Sequence, residues 1–169
     1  MKKNKNIGWV FVVLVVLGLF LWLGQKKVSN PQNEVIKIEN KDQLIASETM
    51  YDFGAISMKN GLTSKNFTVT NSSEAEIILK SVTTSCMCTV AYVKRADNIK
   101  KGPFGMPGHG GAVPKVNESI QAGESFEVEV VYDPNAHGPA GVGMIDRFVY
   151  LEDSNGKILE LEIKANVTP

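Results

Sequence analysis

Cysteine and histidine are both scarce in this sequence of 169 residues, which contains two of each. A disulfide framework needs several well-spaced pairs, so Cys86 and Cys88 alone exclude a fold that depends on disulfides. An excess of one charge is also missing, because 18 basic residues balance 18 acidic ones. A nucleic-acid-binding protein would carry a clustered basic face, and the charge balance therefore argues against a nucleic-acid partner.

The common catalytic motifs are absent as well. The sequence has no Gly-x-Gly-x-x-Gly after a strand, no phosphate-binding loop, no His-Glu-x-x-His and no Gly-x-Ser-x-Gly. We therefore expect a protein that is not an enzyme, without catalytic residues and without a nucleotide cofactor.

One long hydrophobic run is present, at Ile7–Leu23, and it carries no charge. At about 1.5 Å per residue a helix of this length spans roughly 25 Å, slightly short of the hydrocarbon core of a bilayer, which is about 30 Å thick. Trp9 and Trp22 lie near its two ends, where indoles favour the membrane interface. A cleaved signal peptide would have a shorter apolar region that ends in small residues, which this run does not. We predict an uncleaved transmembrane anchor at residues 7–24.

The charges around this run predict its orientation. Three lysines in residues 1–6 precede the run and place the N-terminus in the cytoplasm, although a Lys-Lys pair on the far side weakens the bias. The chain is therefore predicted to be a single-pass protein of the cell membrane. A polar linker at 25–47 would join the anchor to an extracytoplasmic domain at 48–169.

The predicted domain is built of strands, because its apolar residues recur at every second position. Ser125–Tyr132 alternates most clearly and ends at an Asp-Pro-Asn terminator. Asn155-Gly156 is a typical hairpin turn between strands at Met144–Leu151 and Ile158–Val167. We predict an all-β fold, an immunoglobulin-like antiparallel β-sandwich of about seven strands. Further strands are predicted at Lys65–Thr70, Glu76–Val82 and Val90–Val93.

Local motifs add a family resemblance. They are Tyr-Asp-Phe-Gly-Ala-Ile at 51–56, Thr-Ser-Cys-Met-Cys-Thr at 84–89 and Ala-Gly-Glu at 122–124. Their succession resembles the bacterial domain of unknown function 1573 family, an immunoglobulin-like domain related to the major sperm protein type, over about residues 48 to 167. The resemblance implies an exported binding or scaffolding module and no established reaction.

The sequence departs from the family pattern at two places. Met87 stands between the cysteines, where the family usually has glycine. A stretch rich in glycine and proline, Lys101–Val116, reads as a long inserted loop. Phe104 and Met106, in the part of this loop without charged residues, are candidate anchors for a protein or cell-envelope partner, because long loops on a rigid sandwich commonly carry recognition.

The Cys-x-Cys motif carries most of the chemical information. On a regular strand, Cys86 and Cys88 would point to the same face, so both thiols could reach one metal ion. A disulfide between them would close a tight and strained ring and would be labile. Two half-buried structural thiols remain an alternative, because free cysteine is among the residues most often buried.

Both histidines lie in loops rich in glycine and proline, and each has a methionine nearby. These pairs are His109 with Met106 and His137 with Met144. Thiolates and thioethers select copper(I) among common biological metals, and imidazole suits it too. We therefore predict a copper(I) site that draws on these four residues and the two cysteines. Zinc would fit a set of two cysteines and two histidines but would leave the methionines unused.

Three functions stay open at this point. The general prediction is a membrane-anchored, non-catalytic binding or scaffolding module of the cell envelope. The second is a protein that binds or delivers copper(I). The third is a thiol–disulfide redox protein, which would need a cation or a helix N-terminus to lower a thiol pKa. The cations nearest to the cysteines in sequence are Lys80, Lys94 and Arg95.

Overall fold

The computed structural model describes residues 43–95, 99–108 and 115–169. The predicted anchor at 7–24, its flanking segments and His109 lie outside the described residues. Within the three described ranges, no helix has the length and apolar character needed to cross a membrane.

The described residues form ten β-strands and two short 3₁₀ helices, Met58–Asn60 and Gly138–Gly141. In chain order the strands are β1 (Leu44–Ala46), β2 (Met50–Ser57), β3 (Thr63–Asn71), β4 (Ile77–Thr84), β5 (Thr89–Lys94), β6 (Lys100–Phe104), β7 (Lys115–Ile120), β8 (Ser125–Tyr132), β9 (Gly143–Asp153) and β10 (Ile158–Thr168).

Two sheets of five strands make up the sandwich. One has the order β1-β3-β8-β5-β6 and the other the order β2-β10-β9-β4-β7. The predicted immunoglobulin-like β-sandwich is confirmed. The expected number of about seven strands is wrong, because the described residues form ten. The expectation of a purely antiparallel arrangement is also wrong, because β2 and β10 pair in parallel.

Alternation of apolar and polar residues places the core between the sheets. Phe67 and Val69 of β3 lie opposite Val128 and Phe126 of β8, and all four are at most 3% exposed. Burial of each such side chain contributes about 1.5–3 kcal/mol, which is the main reason these segments pair with their apolar faces inward. The opposite sheet supplies buried residues of its own: Leu79, Val82, Leu151, Leu161 and Ile163.

The sequence suggested that residues 101–116 form a single inserted loop, and this prediction is wrong. Its first residues complete β6, which pairs with β5, and its last residues begin β7, which pairs with β4. Phe104 lies opposite Ala91 and is 2% exposed, so it belongs to the core and is not a partner anchor. The apolar contact of Phe104 with the core explains why a segment with the sequence Lys-Lys-Gly-Pro-Phe forms a strand.

Two connections cross between the sheets at the same end of the sandwich. Residues 85–88 join β4 to β5, and residues 133–142 join β8 to β9. Thr89, the first residue of β5, lies opposite Tyr132, the last residue of β8. The register of these two strands therefore brings the two connections together.

Candidate metal centre

Cys86 and Cys88 lie in a tight turn between β4 and β5, and not on a regular strand as expected. The N–H of Thr89 donates a hydrogen bond of 3.1 Å to the carbonyl of Cys86 and so closes the turn. The buried hydroxyl of Thr84 lies 3.0 Å from the Cys86 carbonyl oxygen and 2.9 Å from that of Thr89. This turn brings the two sulfur atoms to 2.8 Å from each other.

Ser85 fastens the turn to the neighbouring strand β9. Its N–H donates to the carbonyl of Phe148 at 2.9 Å, and its hydroxyl oxygen accepts from the N–H of Phe148 at 2.9 Å. Two hydrogen bonds to one residue hold the start of the turn in a single orientation, so the cysteines next to it have a fixed backbone.

His137 reaches the cysteines from the connection between β8 and β9. Consecutive turns shape this connection: Asn135 donates to the Asp133 carboxylate at 2.8 Å, and Gly138 donates to the Asn135 carbonyl at 2.9 Å. Gly138 has φ +56°, a conformation that side-chain-bearing residues rarely adopt. The result is that His137 Nε2 lies 3.2 Å from the sulfur of Cys86.

Three potential ligand atoms therefore converge. The sulfurs of Cys86 and Cys88 and a ring nitrogen of His137 all lie within 4.8 Å of one another. Two sulfurs bound to one ion at about 2.3 Å stand roughly 3.8–4.0 Å apart. The sulfurs must separate by about 1 Å to admit an ion, a change within the range of small side-chain rotations.

Arg147 of β9 is the residue of this cluster that sequence analysis missed. Its Nε donates a hydrogen bond of 3.2 Å to the sulfur of Cys88, across a separation of 59 residues. Lys80, Lys94 and Arg95, the cations nearest in sequence, each pair with a glutamate elsewhere in the sandwich. No local sequence signal links Arg147 to the cysteines, because only the pairing of β4 with β9 brings them together.

The two thiols differ in acidity. Partial burial raises the pKa of Cys86, but hydrogen bonds from Cys88 and His137, together with the charge of Arg147, outweigh burial and lower this pKa to about 7. Burial and the neighbouring Cys86 raise the pKa of Cys88 above its ordinary value. Cys86 is therefore the first of the two thiols to ionise as the pH rises, and its thiolate accepts the hydrogen bond that Cys88 donates.

The cluster opens on one side into a hollow of about 600 Å³. Cys86 and His137 line it, whereas Cys88 is 2% exposed and closes the protein side of the cluster. An ion or a small ligand can therefore approach from solvent without a rearrangement of the sheets. The other lining residues are Ser85, Ala140, Gly141, Val142, Met144, Ile145, Asp146, Arg147 and Phe148.

The remaining predicted ligands have different positions. Met144 lines the hollow and is 76% exposed, so its thioether is at the rim of the cluster. Met106 follows β6 and is half-buried, and it does not line the hollow. His109 lies outside the described residues.

Comparison with solved structures shows the fold. A protein of unknown function from Porphyromonas gingivalis W83 matches with a TM-score of 0.51 at 16% identity, over 79% of this chain and 51% of that one. The secreted serine protease VesC from Vibrio cholerae matches with a TM-score of 0.48 at 16% identity, over 81% of this chain and 26% of that one. A PapD-like domain of human CEP192 matches with a TM-score of 0.46 at 10% identity, over 82% of this chain and 92% of that one. This chain spans about half of the Porphyromonas protein and about a quarter of the protease. At 16% identity, the likeness to the Porphyromonas protein extends to the fold alone.

Comparison of sequences finds a family match over part of the chain. No curated protein matches the chain. Residues 44–105 match the family described as "Protein of unknown function (DUF1573)". The matched segment contains the cysteine turn and ends before His137 and Arg147, so it is shorter than the range of 48 to 167 over which the motifs suggested the resemblance. Residues 44–105 therefore match the DUF1573 family, as the motifs predicted, and this match covers less than half of the chain.

Proposed function

We propose that this protein is a non-catalytic binding module whose ligand is a soft metal ion, with copper(I) as the first candidate. Cys86, Cys88 and His137 supply the ligand atoms. The observation that carries the proposal is the convergence of two sulfurs and one imidazole nitrogen within 4.8 Å, from two separate connections of the sandwich.

The chemistry of the donors favours copper(I). Thiolate sulfur and imidazole nitrogen both suit this ion, and three such donors are enough to hold it. Metal binding displaces the thiol protons, so the lowered pKa of Cys86 reduces the competition from protons at neutral pH. A tetrahedral zinc site needs a fourth ligand, whereas the thioether of Met144 at the rim suits copper(I) better than zinc.

Thiol–disulfide exchange is the second candidate function. It is favoured by one observation: the pKa of Cys86 is lowered to about 7 beside a second sulfur at 2.8 Å. Cys86 would attack the disulfide of a partner, and Cys88 would then displace the partner's second thiol and leave a Cys86–Cys88 disulfide. Equilibration with glutathione buffers of known potential tests this candidate. A pair that stays reduced under the most oxidising of these buffers would contradict it.

The predicted membrane attachment is part of the proposal. The apolar run at residues 7–24 and the lysines before it support an anchor with the sandwich on the extracytoplasmic side. A reporter that is active only outside the cytoplasm, fused to the chain after residue 169, tests this placement. Activity is expected with the full chain, and fluorescence of a cytoplasm-specific reporter at the same position would contradict it.

The metal is tested by anaerobic titration of the reduced full chain, in detergent, with copper(I) against a chromophoric chelator. Wild type is expected to bind one ion per chain, and Cys86→Ser/Cys88→Ser is expected to lose this binding. Met87→Ala is the matched control, because Met87 is 53% exposed in the same turn and supplies none of the three ligand atoms. Equal and weak binding by wild type and the double variant would show that the cysteines are structural thiols.

A further inference from the structure

We infer that Arg147 makes the centre selective for a monovalent soft ion, copper(I), over a divalent one such as zinc(II). This inference rests on the proposed metal-binding function and adds the feature that decides which ion is bound.

Arg147 is held in place beside the sulfurs. It lies on β9, which pairs with β4 on one side and with β10 on the other. Its Nη1 donates to the carbonyl of Asp146 at 2.8 Å, and its Nε donates to the sulfur of Cys88 at 3.2 Å. With two of its nitrogen atoms engaged and its side chain half-buried, the guanidinium has a defined position.

The charge of Arg147 is directed at the sulfurs and not at a carboxylate. Within the described part of the chain, Arg147 forms no ion pair, and the neighbouring carboxylate of Asp146 lies 3.7 Å from Lys164 Nζ instead. An arginine guanidinium stays positive throughout the range of pH in which thiols ionise.

The charges of the metal-bound cluster then decide the preferred ion. Two thiolates contribute two negative charges, a neutral His137 contributes none and Arg147 contributes one positive charge, which leaves a net charge of minus one. A monovalent ion brings this sum to zero, whereas a divalent ion leaves one positive charge uncompensated. Because Cys88 is buried and Arg147 is half-buried, water screens an uncompensated charge at this position less well than at the protein surface.

The direct hydrogen bond acts in the same direction. A donor on the Cys88 sulfur withdraws electron density from it, and a divalent ion depends more strongly on that density than a monovalent ion does. Lysine at this position would keep the charge but would lose the planar arrangement of donors. Charge and hydrogen bonding can therefore be separated by substitution.

The test compares the affinities of copper(I) and zinc(II) for the reduced full chain in detergent, each measured against a competing chelator. Arg147→Met keeps much of the aliphatic chain and removes the charge, and Arg147→Lys keeps the charge. Lys164→Gln is the control, since it removes a cation from the adjacent strand that pairs with Asp146. Arg147→Met is expected to lower the ratio of copper(I) to zinc(II) affinity by about tenfold or more. Arg147→Lys is expected to lower this ratio less, because the charge remains, and Lys164→Gln is expected to leave it close to that of wild type.

An unchanged ratio in Arg147→Met, with both affinities reduced by the same factor, would overturn the inference and leave Arg147 with a structural role. If circular dichroism shows that Arg147→Met does not fold, Arg147→Gln is used with the same criterion. Failure of the proposed function has a different signature. In that case wild type and Cys86→Ser/Cys88→Ser bind copper(I) equally, before any variant of Arg147 is compared.

Discussion

The backbone N–H of Asp133 donates a hydrogen bond of 2.8 Å to the carbonyl oxygen of Cys88. This bond joins the turn that carries the two sulfurs to the connection that carries the imidazole of His137. Main-chain atoms form the link, so a substitution of a ligand side chain leaves it in place. Changes in the side chains of the cluster can therefore be interpreted through chemistry at the cluster itself.

Replacement of His137 by alanine is expected to weaken copper(I) binding by about tenfold or more, which corresponds to about 1.4 kcal/mol, because it removes one of three donors. Chelator competition on the reduced protein measures the change. His109→Ala provides the comparison, since it removes the only other histidine of the sequence. A loss of affinity in His109→Ala alone would contradict the assignment of His137 as the ligand.

Alkylation of the thiols is expected to depend on pH in two distinct ways. The thiolate is the form that reacts with the alkylating agent, and a cysteine with a lower pKa forms its thiolate at a lower pH. Modification of Cys86 by iodoacetamide should therefore rise with a midpoint near pH 7, the value to which its pKa is lowered. Modification of Cys88, whose pKa is raised, should require more alkaline conditions.

Peptide mass spectrometry of quenched samples separates the two alkylation reactions. The same protein in concentrated urea is the control, because unfolding removes the hydrogen bonds and returns both midpoints to about 8.5. Coincident midpoints for Cys86 and Cys88 in the folded protein would refute the unequal acidity of the pair.

Gly138→Ala is expected to lower both stability and metal affinity. The φ of +56° at Gly138 costs an L-residue about 1–2 kcal/mol, and relief of that strain would shift the adjacent His137. Gly105→Ala is the matched control, because Gly105 has no positive φ and a Cβ atom there would meet nothing within 4 Å. Urea unfolding and copper(I) titration measure the two effects. Equal behaviour of both variants would rule out strain at Gly138 as the cause.

Asn71→Ala is expected to destabilise the domain by about 2–3 kcal/mol without loss of metal binding. The fully buried Asn71 amide nitrogen donates to the carbonyls of Ala75, Ile120 and Gln121, all within 3.1 Å. Its removal takes one donor from each of these carbonyls and removes the oxygen that accepts from the N–H and hydroxyl of Ser73. A buried group that loses its partner costs about 1–3 kcal/mol. Urea unfolding of the metal-free protein measures the change.

Asn71 lies at the end of β3 that pairs with the start of β8, far along the strand from the end where Thr63 pairs with Tyr132. Thr70→Ala is the control, since Thr70 is the preceding residue of the same strand and its hydroxyl forms an exposed hydrogen bond with the hydroxyl of Ser125. Loss of copper(I) binding in Asn71→Ala under conditions where the domain is still folded would be inconsistent with this separation.

The sandwich could be predicted where side chains alternate without interruption. The predicted strand at Ser125–Tyr132 coincides with β8, because every second residue is apolar and Asp133-Pro134 ends the pattern. β7 could not be predicted in this way. Glu118 occupies a core-facing position of β7 and is 8% exposed, and its charge breaks the apolar pattern. Tertiary ion pairs with Arg95 and Lys101 compensate for its burial, and sequence periodicity contains no information about them.

The candidate site could be predicted only in part. The spacing of Cys86 and Cys88 indicates that their thiols converge, but a turn and not a strand produces the convergence. The loop composition around His137 indicates an adaptable segment, whereas its proximity to Cys86 depends on the pairing of β5 with β8. Arg147 could not be found from local sequence, because its position beside Cys88 results from the order of strands in the second sheet.

The parallel pairing of β2 with β10 determines when the domain can fold. β10 lies between β2 and β9, and Thr168 donates to the carbonyl of Ile56 at 3.2 Å across a separation of 112 residues. Contacts this distant in sequence form only after the intervening chain is available and its entropy of closure has been overcome. As the chain emerges from the ribosome or a translocation pore, the cysteines are therefore extruded well before β10 can complete the sheet that supports them. The thiols first meet their surroundings on an unfolded chain, so any factor that keeps them reduced must act before folding ends.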